Sequence, residues 1–127
     1  MSVVREFSFI IGNNPGALVE IAEAFGQEHV NIDGIAGLTV LDEGVLGIVP
    51  DDPGKARKIL REKGVEFEER EALVLDLPHH PGELATILGR LSAEGINVLS
   101  LYASFGKHQI VFTVDDVPRA KGVFRIP

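Results

Sequence analysis

The stretch Gly12-Asn13-Asn14-Pro15-Gly16-Ala17-Leu18 has a counterpart later in the chain, Pro78-His79-His80-Pro81-Gly82-Glu83-Leu84, at an offset of 66 residues. The offset carries Leu18 onto Leu84, Ile21 onto Ile87, Phe25 onto Leu91, Glu28 onto Glu94, Asn31 onto Asn97, Ile32 onto Val98 and Ile48 onto Val114, with no gap. One Pro-Gly pair is ordinary turn chemistry. Matching polar landmarks together with matching hydrophobic phase point to an internal duplication.

Around the first turn, Arg5 to Gly12 reads as a strand. Leu18, Ile21, Ala22 and Phe25 stand at i, i+3, i+4 and i+7, one face of a helix. Asn14 is the expected N-cap, Pro15 suits the first helical position, and Gly26 loosens the far end. Asn31 to Leu41 and Val45 to Val49 are rich in β-formers. The Asp42-Glu43-Gly44 between them makes a hairpin, with Gly44 supplying the positive φ. Asp52 and Pro53 open a second helix with Ala56, Ile59 and Leu60 inward, ending near Gly64, and Val65 to Glu71 returns as a strand. The order is βαββαβ.

The second copy repeats it: Leu73 to Pro78 as strand, and Gly82 to Glu94 as helix with Leu84, Ile87, Leu88 and Leu91 inward. Asn97 to Phe105 and Gln109 to Val114 then form a hairpin around Gly106. Too few residues follow Asp115 for both a last helix and a last strand, so the second copy lacks its closing strand or borrows one. The expected units are residues 1–71 and 72–127, each an α+β sheet with its helices on one face. The other face and the open edges invite pairing with another copy, so a homodimer is expected.

The 127 residues hold 12 Lys+Arg against 19 Asp+Glu, a formal charge of −7, which repels nucleic acid. Cysteine is absent, which removes thiol nucleophiles and thiolate metal clusters and fits a reducing cytoplasm. The apolar run Phe7 to Ile11 is too short for a signal peptide or a membrane span, so no membrane association is expected.

None of His29, His79, His80 and His108 has a serine or cysteine nucleophile at motif spacing, so no catalytic residue is assigned. His79-His80 has no partner at i+4 to complete a metal-ligand set, and no metal is expected. The alternating Glu66, Glu68, Glu69 and Glu71 read as a solvated face or edge. The first turn has no lysine for a phosphate loop, and no cofactor is expected. What remains is the turn itself, which sets unpaired helix N-terminal N–H groups beside Gly16 and Gly82, where little side-chain bulk stands in a ligand's way.

These residues carry a resemblance. Ile10 to Gly12, Asn14-Pro15-Gly16-Ala17-Leu18, Ile21 to Phe25 and His29-Val30-Asn31-Ile32-Asp33 resemble the opening of an ACT domain. His80-Pro81-Gly82-Glu83-Leu84 with Glu94-Gly95-Ile96-Asn97-Val98 resembles it again. The two copies cover essentially the whole chain, leaving no room for a catalytic domain, as in stand-alone tandem ACT proteins. The resemblance implies a ferredoxin-like fold in each copy, sheets joined side by side, and an amino acid bound where the Pro-Gly turn of one unit faces the second strand of another.

Carried onto this sequence, the first site comprises Asn13, Asn14, Gly16, Ala17 and Leu18 around the ligand carboxylate, with Asn31, Ile32 and Asp33 near its amino group. A second site would use His79, His80, Gly82, Glu83, Leu84, Asn97 and Val98. It departs from the first in its histidines and in having Leu99 where Asp33 stands. The expected function is a non-catalytic, allosteric, amino-acid-binding regulatory protein. The alternative is a regulatory subunit that docks on a separate amino-acid biosynthetic enzyme.

Overall fold

In the computed structural model, which describes residues 2–104 and 106–127, the elements run β1 (Ser2–Gly12), α1 (Ala17–Gln27), β2 (Ile32–Val40), β3 (Glu43–Pro50), α2 (Pro53–Glu62), β4 (Phe67–Asp76), α3 (Glu83–Ala93), β5 (Val98–Ala103), β6 (Gln109–Val114) and α4 (Val117–Phe124). They form two compact units. Arg5–Arg70 is one, and Glu71–Pro127 with the first residues of β1, up to Val4, is the other. Within the Arg5–Arg70 unit the strand order is β2-β3-β1-β4. In the other unit it is β1-β4-β6-β5. Both are the ferredoxin-like βαββαβ arrangement.

The closing strand missing from the end of the chain is therefore borrowed: Ser2 to Val4 belong to the unit built from the second copy. The two strands expected at Val65 to Glu71 and Leu73 to Pro78 are one strand, β4. No turn-forming residue separates Glu71 from Leu73, so the extended backbone continues. Phe105, the expected end of β5, lies outside the described residues.

Side-chain alternation along the paired strands places each core. Phe7 stands opposite Ile48, and Leu73 opposite Phe112. All four are essentially fully buried. Ile21, Phe25, Ala56, Ile59 and Leu60 from α1 and α2 cover the first pair, and Ile87, Leu91, Ala120 and Phe124 from α3 and α4 cover the second. Helices therefore lie on one face in each unit. Truncating one of the buried phenylalanines to alanine would cost about 3–5 kcal/mol. Leu18 and Leu84, expected inward, are instead 46% and 41% exposed, and the buried positions begin one turn later, at Ile21 and Ile87. Ala22 is exposed too.

The four helices start in two different ways. Asp52 caps α2 by accepting from the Lys55 N–H at 3.1 Å, with Pro53 first in the helix. Asp116 caps α4 in the same way. Asn14 does not cap α1. Its carbonyl accepts the Ala17 N–H at 3.2 Å, closing a turn before the helix begins, and Gly16 becomes the N-cap residue. Left-handed His29, not Gly26, follows the end of α1, as Gly95 follows α3. The first hairpin turns on Leu41 and Asp42, at φ 47 and 67, while Gly44 sits within β3. Val40 pairs with Glu43, leaving a two-residue loop whose twist requires positive φ at both positions.

The gapless offset also needs correction. Ile48 opposite Phe7 corresponds to Phe112 opposite Leu73, so the offset falls to 64 beyond the hairpin. The second hairpin is two residues shorter.

The glutamates of β4 are not a uniformly solvated face. Arg5 Nε and Arg57 Nε each donate to Glu69 at 2.8 Å, and its side chain is only 14% exposed. Glu71 pairs with Lys121 and Glu68 with Arg70. Hydrogen bonding from Arg57, with further help from Arg5, outweighs burial and holds the Glu69 carboxyl at about 2, below its usual 4.5.

A depressed carboxyl stabilises the fold above its unfolded value and loses that contribution as pH falls through the folded one. Glu69→Gln is thus expected to be less stable than the parent at pH 7. The gap should narrow below pH 4.5 and close near pH 2, as read by urea denaturation at a series of pH values. Leu41, 92% exposed in a left-handed conformation, gives a second expectation. Leu41→Asn relieves that strain and should raise stability by about 1 kcal/mol in the same assay.

Candidate functional site

The two Pro-Gly turns differ from the other helix starts in one respect. Asp52 and Asp116 satisfy the amides that open α2 and α4, whereas α1 and α3 begin at Gly16 and Gly82 with no side-chain cap. The amide that opens each helix is taken by a turn carbonyl, Ala17 N–H by Asn14 at 3.2 Å and Glu83 N–H by His80 at 3.3 Å, and no side chain caps the amides that follow. Gly16 has an ordinary φ of −93°, and a Cβ there would meet only Asn14 Oδ1, at 4.0 Å. Gly82 sits at φ 92°, where glycine is strongly favoured. The Asn14 side chain folds back over Gly12, its Nδ2 lying 2.9 Å from where a Cβ would be.

The other half of each expected site begins β2 or β5. The Asn31 N–H donates to the Asp51 carboxylate at 3.0 Å and the Asp51 N–H donates to the Asn31 carbonyl at 2.9 Å. Asn97 and Asp115 repeat this at 3.0 and 3.1 Å, with a further bond from Asn97 Nδ2 to Asp115 Oδ2 at 3.3 Å. These asparagines pin the start of an edge strand. Immediately after them the register slips by one residue. Ile32 faces Pro50 but Gly34 faces Val49, and Val98 faces Val114 but Ser100 faces Thr113. The extra residues are Asp33 and Leu99, both exposed. Such a bulge re-aims the side chain it carries.

Strand register separates the two halves within a unit. Gly12, at the turn, pairs with Glu43, which pairs with Val40 at the far end of β2 from Ile32. Eight strand steps, about 26 Å, lie between Ile32 and Val40. Asn13, Asn14, Gly16, Ala17 and Leu18 are thus grouped at one end of the sheet, and Asn31, Ile32 and Asp33 at the other. The second unit repeats the separation, with Asp76 paired to Gln109 at the turn end and Val98 to Val114 at the other.

What does meet the second turn is the β5–β6 hairpin. The Leu77 N–H donates to the His108 carbonyl at 2.6 Å, and the His79 and His108 rings lie 5.2 Å apart. A cavity of about 460 Å³ opens there, lined by His79, His80, Gly82, Glu83 and Leu84 on the turn side and by Ala103, Ser104 and His108 on the hairpin side. Ala103, Ser104 and His108 are not among the site residues expected from the sequence, where His108 stands only as a histidine without a nucleophile. Equal strand lengths on either side of the hairpin would have placed them at this end. Among the described residues, no group of three or more His, Cys, Asp or Glu is arranged to hold a metal ion, and no helix is long and apolar enough to cross a membrane.

The family model for the ACT domain pair matches residues 1–126. The chain belongs to the ACT domain family. This ACT pair is similar to a protein of Bacteroides thetaiotaomicron of known crystal structure. The two are 26% identical, with a TM-score of 0.87 over 97% of this chain and 87% of that one. It is also similar to the ligand-free regulatory subunit of aspartate kinase from Thermus thermophilus, at 15% identity and TM-score 0.74 over 98% and 92% of the two chains. The corresponding subunit from Thermus flavus gives 16% and 0.72 over 99% and 90%. At such identities the Thermus structures speak to the fold. No curated protein sequence matches the chain.

Both bulge residues are exposed. Leu99 is 50% exposed, so Leu99→Ala should cost little packing, and Asp33→Ala likewise. Each is expected to lie within about 0.5 kcal/mol of the parent in urea denaturation, so that any change in ligand affinity reports recognition and not folding.

Proposed function

We propose that this ACT pair is a non-catalytic regulatory protein that binds a free amino acid at its Pro-Gly turns. The observation that carries the reading is the uncapped start of α1 and α3 beside α2 and α4, each capped by its own aspartate. An amino-acid carboxylate supplies the acceptor that no side chain provides there, and Asp33, set out on its bulge, supplies a counter-charge for an ammonium. Because Asp33 lies at the opposite end of β2 from its own unit's turn, holding both ends of one ligand requires a second copy of the chain. β2 suits that role, since it is an edge strand with Ile35, Leu38 and Val40 exposed along it. Ligand binding would then shift the assembly, or an enzyme attached to it, between states.

Docking on a larger biosynthetic enzyme in the cytoplasm is the second reading. Exposed Leu38 and Leu41 at the end of β2 favour it, as do neighbours that are regulatory subunits of aspartate kinase. Co-purification of such an enzyme with the full chain tests it.

The leading reading is tested by a thermal-shift screen of the twenty amino acids, followed by calorimetry. A ligand at about 100 times its dissociation constant should stabilise the fold by about 2.7 kcal/mol, several degrees in melting temperature. Gly16→Val keeps an allowed backbone and unhindered space, so it should fold normally and lose binding at the first turn. Light scattering should give a dimer mass in the presence of ligand. A monomer with ligand bound, or normal binding by both Gly16→Val and Asp33→Ala, sinks the first-turn site.

A further inference from the structure

The two turns are built alike but lined differently. By position, His79 and His80 replace Asn13 and Asn14. The shortened hairpin sets His108 where the first unit has Gly44, since Ile11 pairs with Gly44 as Leu77 bonds to His108. Three neutral positions in one copy are thus three imidazoles in the other. Two come from the turn and one from a hairpin almost thirty residues on, and all three line the same cavity of about 460 Å³. Glu83, from the first turn of α3, is the one carboxylate among the described lining residues. Asp76 closes β4 and Lys107 precedes His108, but neither lines the cavity.

An imidazole can accept a proton and become a cation that pairs with a carboxylate, whereas the asparagines of the first turn cannot.

We infer that the cavity formed by His79, His80 and His108 takes an acidic ligand, an amino acid or small acid with a second carboxylate, and binds it with uptake of a proton. The inference rests on the reading of the Pro-Gly turns as ligand sites and adds the ligand class for the second of them. A carboxylate brought among the three rings favours their protonated form and is bound more tightly as that form is populated. The first turn, lined by amides, has no such coupling.

The test is isothermal titration of the full chain, in EDTA to exclude metal bridging, with L-glutamate, L-aspartate and succinate as acidic probes and L-leucine as the neutral one. Each is measured at pH 8 and pH 6, in two buffers of different ionisation enthalpy. At least one acidic probe should bind about tenfold more tightly at pH 6 than at pH 8, with proton uptake, and L-leucine should change little. The triple variant His79→Asn, His80→Asn, His108→Asn should abolish the pH dependence. Asparagine suits the left-handed backbone at position 108 (φ 50), and all three residues are exposed, so the fold should survive; circular dichroism checks this.

Equal affinity of the acids at the two pH values, or a pH dependence that persists in the folded triple variant, overturns the inference while leaving amino-acid binding intact. If no amino acid binds at either pH, the reading of the turns as ligand sites fails, and the inference falls with it.

Discussion

Direct opposition of buried residues across the strand pairs is the constraint on which the rest depends. With Phe7 opposite Ile48 and Leu73 opposite Phe112, a slip of one residue would turn the core side chains away from the helices. The same register sets the ends of each sheet. It brings Gly12 to Glu43 and Asp76 to Gln109, so the turn before each first helix lies beside the tip of the hairpin. A ligand site at the turn is therefore a site at the hairpin end, and residues that begin the second strand are distant from it.

Within that frame the two units use one plan with different furnishings. Both clamp the start of the edge strand through an Asn and an Asp, both insert a bulge just after it, and both leave the helix after the Pro-Gly turn without a side-chain cap. Retaining an open helix start forgoes the stabilisation of about 1 kcal/mol that an Asp, Ser or Asn cap supplies. The same chain takes that stabilisation at Asp52 and Asp116. This contrast inside one molecule separates a helix start available to a ligand from one that serves only the fold. The bulge then differentiates the copies, presenting a carboxylate at Asp33 and an aliphatic group at Leu99. The turn differentiates them again, through asparagines in one and histidines in the other.

Charge on β4 illustrates how far local reading extends. Alternating glutamates look alike in sequence, yet Glu69 is gripped by Arg5 and Arg57, which lie 64 and 12 residues away. Glu71 reaches Lys121 and Glu68 its neighbour Arg70. Nothing in the spacing of the acids announces which of them faces the helices. That depends on Phe67, packed on the core two residues before Glu69, and so on the phase of the whole strand.

The sequence by itself determined the duplication, the βαββαβ order, the buried faces at Ile21, Phe25, Ile59, Leu60, Ile87 and Leu91, and the helix start at Asp52. These follow from periodicity and from bonds between residues a few positions apart, which are written locally. It also marked the Pro-Gly turns, because glycine and proline restrict the backbone wherever they stand. Tertiary structure alone decided that the first residues of β1 complete the second unit, that Leu41 and Asp42 make the first hairpin turn, and that Asn31 to Asp33 lie at the opposite end of β2 from Asn13 to Leu18. It also brought His108 beside His79 and His80. Each of these depends on pairing between segments far apart in the chain, where register and not composition selects the neighbours.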